Sequence, residues 1–108
     1  MNGIVNILSG LAIMMWGRIE ETRKMKFLDA CRSPEYPDDV LVYLIQDEKT
    51  IEGCWVRIEG IVERHLKGIL LNEPDQDFGC HKGDLIEFSV NQMEEGQIVL
   101  CAGRESGC

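Results

Sequence analysis

The chain lacks the compact signatures of catalytic and nucleotide-binding proteins. There is no Gly-x-Ser-x-Gly, no His-Glu-x-x-His and no pair of cysteines two residues apart. Those absences remove the nucleophile elbow, the zinc-protease helix and the paired-thiol metal or redox site. The glycines between Gly79 and Gly83 have the wrong spacing for a phosphate loop and lead into a strand-like run rather than a helix. No low-complexity tract and no internal repeat is present, so the 108 residues read as one folded domain with a single core.

Basic residues are also scarce. Lys and Arg number 11 against 19 Asp and Glu, a formal charge of −8. The imbalance is local, because residues 1–33 sum to +2 and residues 34–108 to −10. Such a surface repels nucleic acid and anionic lipid and steers a basic partner toward itself. No nucleic-acid partner is expected, and a basic protein is. Five cysteines stand at Cys31, Cys54, Cys80, Cys101 and Cys108, an odd number, with Cys54 and Cys101 inside apolar runs. That usage suits packed thiols in a reducing compartment, hence a cytoplasmic protein. A Cys101–Cys108 bridge would only staple the chain's tail.

The first sixteen residues carry no charged side chain. They fall short of the roughly 20 apolar residues that span a bilayer, and Gly3, Gly10 and Gly17 interrupt them, so membrane insertion is not expected. Three readings stay open: a buried helix or homodimer mate, a weak membrane-associating segment, or an extension preceding a natural start at Met14, Met15 or Met25. From Ile4 to Cys31 there is no proline, and apolar residues recur at helical spacing. Trp16, Ile19, Arg23, Lys26 and Ala30 would stack on one side, with Gly17 able to divide the run. Pro34 and Pro37 end it.

Strand signals follow. Val40–Gln46 is a continuous β-branched and aromatic run, expected to be buried on both faces. Cys54–Glu59 alternates, with Cys54, Val56 and Ile58 on one side and Trp55, Arg57 and Glu59 on the other. Ile61–Leu66 either continues that strand or forms a hairpin arm. Gly68–Asn72, Leu85–Val90 and Gln97–Cys101 complete the set. The fold class is α+β: an N-terminal helix packed on a small curved antiparallel sheet, or a partly open barrel of about five strands in meander order. Residues 1–16 form the apolar segment, 17–103 the domain, and 104–108 a frayed tail.

Three phrases together resemble a known family. Cys-Trp-Val-Arg-Ile at 54–58, Gly-Ile-Leu-Leu-Asn-Glu-Pro at 68–74 and Lys-Gly-Asp-Leu-Ile-Glu-Phe at 82–88 are similar to the YegJ-like domain of uncharacterised bacterial proteins. Trp55, Asn72, Pro74, Gly83 and Asp84 carry the resemblance, which covers about residues 17–101. The acidic-hydrophobic-Ser-Asp-Trp segment usual at that family's end has no counterpart here. The resemblance implies a bacterial origin and no defined activity; some relatives of this general kind lie near toxin–immunity systems.

Two candidate sites emerge. Trp55 is an interface anchor if its side of the strand is wet, and core if the helix covers it. Asn72, Glu73, Asp75 and Asp77 lie in the densest polar loop, which could receive the basic patch of a partner, while Asn72 itself caps the strand end. A calcium loop counted from Asp75 would need glycine where Cys80 stands and an acid where Ile86 stands, so no metal is expected. The second site, from a different class, lies near Asn72, Cys80 and His81 and would bind a small ligand or act catalytically. Cys80 and His81 are sequence neighbours, which on a strand point to opposite faces, and Asp84 reads as a turn residue. No catalytic residue and no cofactor is assigned.

Overall fold

Strand alternation builds this molecule, and an odd strand count closes it. The computed structural model describes residues 5–6 and 16–103. The elements are β1 (Val5–Asn6), β2 (Trp16–Arg18), α1 (Ile19–Arg23), a 3₁₀ helix (Lys26–Cys31), β3 (Asp39–Ile45), β4 (Glu52–Val62), β5 (His65–Leu70), β6 (Leu85–Gln92) and β7 (Ile98–Gly103). The helix expected through the apolar run 1–16 and the tail 104–108 fall largely outside the described residues. Where the run is described, at Val5–Asn6 and Trp16–Arg18, the backbone is extended: β1 pairs with β6 and β2 with β4. The long helical segment is therefore corrected to one short α-helix and a 3₁₀ turn.

Strands β3 to β7 each pair antiparallel with the next. In a five-strand meander the first and last strands point the same way, and β7 does pair parallel with β3, from Tyr43↔Cys101 to Ile45↔Gly103. The barrel is closed rather than partly open. Closure removes the exposed sheet edges that a curved open sheet would leave. β4 runs eleven residues because its first half serves β3 and its second half β5 and β2; a bulge between Ile58 and Gly60 lets it turn.

The inward residues are those the alternation selects. Val40, Val42, Leu44, Cys54, Val56, Ile58, Leu66, Leu70, Phe88, Val90 and Leu100 are buried. Val40–Gln46 is not buried on both faces: Leu41, Tyr43 and Ile45 are half-buried, since that side of β3 is the outside of a barrel. Gly68 sits where β5 crosses β4 so closely that a Cβ would collide with the Arg57 carbonyl oxygen and lie 2.7 Å from Val56 Cγ1.

The helical segment closes one end. Leu28 and Met25 enter the core, near the starts of β3 and β7, as the Cys31 thiol donating to the Ile98 carbonyl shows. Arg32 staples this segment through its guanidinium, donating to the carbonyls of Thr22 and Pro37 at 2.8 Å and to Asp29 at 3.0 Å. Two further bidentate pairs, Arg23–Asp38 and Arg57–Asp39, tie α1 and β4 to the approach to β3. The opposite end, where β3 and β7 finish and β6 begins, receives the loop between β5 and β6.

Among the described residues no helix is long and apolar enough to cross a membrane. Cys31, Cys54 and Cys80 are free. Cys101, expected as a packed thiol, is instead disulfide-bonded.

Candidate functional site

The corner where β4, β5 and β6 meet the acidic loop gathers most of the residues singled out from sequence. As β5 ends, Leu71 N–H donates to the Trp55 carbonyl at 2.8 Å. One residue further, Asn72 Oδ1 accepts the Trp55 N–H at 2.8 Å. A side-chain carbonyl thus replaces a backbone one and extends the ladder after the strand has left it. The expected capping role of Asn72 holds, and its partner is Trp55.

Trp55 itself faces out, 40 % exposed. It stands opposite Leu41 of β3 and beside Leu71, both half-buried. Ile69 of β5 is paired with Leu85 of β6, which is 56 % exposed. Leu41, Trp55 and Leu71 form a short apolar row beside the acidic loop, while Ile69 and Leu85 lie two residues further along, level with Arg57.

The loop is held by its own carboxylates. Glu73 accepts the Lys82 N–H at 3.0 Å and pairs with His81 Nδ1 at 2.8 Å. Asp77 accepts the Gly79 N–H at 3.1 Å. Asp84 accepts the His81 N–H at 2.8 Å, the turn role expected of it. Glu52, which sequence reasoning missed, accepts the amides of Asp75 and Gln76 at 2.6 and 3.2 Å. Gln76 and Thr50 exchange two further bonds. Glu52 had no signal of its own, because one acid at a strand start resembles any solvated turn residue.

Of the three loop acids, only Asp75 keeps its carboxylate without a hydrogen bond among the described residues. Glu73 and Asp77 thus hold the loop's shape, and Asp75 is exposed beside them. All three still contribute negative potential.

Electrostatics follow these bonds. The amide donors, Asp75 N–H foremost, lower the Glu52 pKa. The His81 hydrogen bond lowers Glu73, and the same bond raises His81 above its ordinary 6.5. The sign of each half follows from the direction. Stabilisation through His81 is complete below 6.5 and lost as pH rises through the folded value. Stabilisation through Glu73 is complete above 4.5 and lost as pH falls through the folded value. The pair is therefore tightest between those two values. A proton NMR titration of the His81 ring should give a midpoint above 6.5 in the wild type, returning toward 6.5 in Glu73→Gln. An unchanged midpoint in the variant would dissolve the pairing.

At the second site, near Asn72, Cys80 and His81, two of the side chains are engaged elsewhere. Cys80 and His81 lie in the loop rather than on a strand, so the opposite-face expectation has no strand to act on. His81 pairs with Glu73, and Asn72 is engaged by Trp55. Burial raises the pKa of Cys80 first, and Asp84 and Glu73 raise it further. That leaves the thiol protonated near neutrality, the reverse of an activated nucleophile. Among the described residues no three His, Cys, Asp or Glu side chains converge as a metal site would need.

Trp55, Asn72, Pro74, Gly83 and Asp84 lie at or near this corner. Trp55 and Asn72 bond to each other; Pro74 is buried. Gly83, at φ +95°, donates its N–H to the Leu70 carbonyl, and Asp84 accepts the Leu70 N–H at its own carbonyl. Comparison of the chain with protein-family models, curated proteins and solved structures finds no match.

Proposed function

We propose that this protein is a binding module, cytoplasmic and of the immunity or inhibitor kind, that engages one basic protein partner. The observation that carries the reading is the hydrogen bond from the Trp55 backbone N–H to Asn72 Oδ1, which ties the strand position bearing an exposed tryptophan to the first residue of the acidic loop. Trp55 serves as the anchor, with Leu41 and Leu71 on either side of it excluding water. Asp75 meets a partner's lysine or arginine directly. Glu73, Asp77 and the rest of the −8 charge steer the approach. The YegJ-like resemblance and its neighbourhood of toxin–immunity systems agree with a partner of this kind.

The test begins with capture of partners from the source lysate, followed by purification of the retained protein and rate measurements at two ionic strengths. The expected partner is basic. Asp75→Asn with Asp77→Asn should slow association several-fold while changing dissociation less, and the difference should shrink as salt screens the field beyond about 10 Å. A retained protein that is acidic, or association indifferent to both salt and the double substitution, would sink the reading.

A further inference from the structure

The barrel's open end carries a pocket unrelated to the Trp55 face. β6 pairs with β7 only from Ser89↔Cys101 to Gln92↔Ile98, whereas β7 follows β3 as far as Ile45↔Gly103. The last residues of β7 therefore peel away from the start of β6. The gap is a pocket of about 170 Å³ lined chiefly by Leu44, Phe78, Cys80, Ile86 and Ala102, with Gln46 and Glu87 as its polar members. Beside it lies an open basin of about 590 Å³, sharing Gln46 and Phe78 as the common wall and bearing Asp47, Glu48 and Asp77 against one cation, Lys49.

One atom in that wall is anomalous. Gln46 Oε1 is buried with no hydrogen-bond partner. A buried acceptor without a donor is costly, and such groups usually mark a place where something else supplies the bond. What is missing is a donor. The neighbouring carboxylates of Asp47, Glu48, Asp77 and Glu87 add acceptors and no donor, so they favour a cationic donor. A pocket of about 150 Å³ walled by Leu, Ile and Phe is known to hold a benzene ring, so this one admits a group of that size.

We propose that the pocket between β6 and β7 is a binding site for a small aralkyl- or alkylamine, its apolar group against Leu44, Ile86 and Ala102 and its ammonium directed past Gln46 and Phe78 toward the acidic basin. On binding, the Gln46 side chain turns so that Oε1, which the pocket does not expose, accepts one N–H. Phe78 lies in the wall shared with the basin, within reach of the cation. The inference does not rest on the protein-partner reading: the basin shares Asp77 with that surface, but none of the pocket's apolar lining residues belongs to it.

The experiment is amide NMR of the full chain titrated with phenethylamine, and in parallel with phenylacetate as an anion of matching size. For a ligand of so few atoms a Kd of about 1 mM is expected. Phenethylamine should move the backbone signals of Phe78, Ile86 and Ala102 and the side-chain amide of Gln46, with phenylacetate at least about tenfold weaker. Gln46→Met should weaken the amine several-fold, and Ile86→Trp should abolish binding by filling the pocket. Ala102→Leu fills it from the other wall if Ile86→Trp does not fold. Equal binding of amine and acid, binding that survives both filling variants, or no shift at these residues would each overturn the proposal. Whatever the result, the salt-dependent association of the protein partner is read separately.

Discussion

Gly68→Ala should lower the free energy of unfolding by about 3 kcal/mol, near the upper end for overpacking a close-packed interior. The new methyl would be driven into the Arg57 carbonyl oxygen, a backbone atom that cannot rotate aside. Either β5 moves off β4 or the bulge at Ile58/Gly60 opens, and both break ladder hydrogen bonds. Gly53→Ala is the control. There the methyl would meet Leu41 Cδ1 at 3.3 Å and the Tyr43 ring at 3.4 Å, side-chain atoms on the outer surface that can shift, so the cost should stay under about 1 kcal/mol. Chemical denaturation of both variants decides the point. Equal losses would mean that close backbone approach is not what glycine provides at position 68.

Trp55→Ala is the second large effect expected, in binding rather than stability. With its ring 40 % exposed, its loss should change stability by less than about 1 kcal/mol. An aromatic anchor at the centre of an interface carries about 2 kcal/mol or more, which weakens the complex by about 30-fold, mainly through faster dissociation. Asn72→Ala should reproduce part of that loss by releasing the Trp55 N–H and letting loop and strand part. If Trp55→Ala binds the captured partner as the wild type does, the surface lies elsewhere.

The strands were legible because each has a period of two that a short window reveals. Cys54, Val56 and Ile58 could be assigned to one face from spacing alone. Which face was core could not be assigned, because alternation is symmetric: it separates Trp55 from Val56 without saying which is dry. The same symmetry hid the outward side of β3. Leu41, Tyr43 and Ile45 are as apolar as the residues between them, and they stay half-buried on the outer side instead of entering the core. Asn72 and Asp84 were readable because short polar side chains at strand ends and turns have few alternatives to capping local amides.

What was not legible depended on distant parts of the chain. Closure joins Tyr43 to Cys101, and no local pattern announces a pairing across that separation. The reading of Trp16–Arg18 as helix failed for a related reason. Its strand conformation is dictated by the free side of β4 at Gly60–Val62, which competes successfully with a weak helical preference. The acid loop was visible as a cluster, but the division of labour within it was not. Whether a carboxylate points outward or binds an amide depends on Glu52 and His81, which approach from other elements.

The parallel pairing of β3 with β7 bears on how the barrel could be rewired. In a barrel with an even number of antiparallel strands the two chain ends emerge at the same rim, and a short linker can join them. Here the start of β3 and the end of β7 lie at opposite rims, separated by the height of the wall, roughly 20 Å at about 3.3 Å per residue. A segment made to join the end of β7 directly to the start of β3 would need at least about seven extended residues to cross that height. Its path would run either over the helical plug or past the mouth of the β6–β7 pocket.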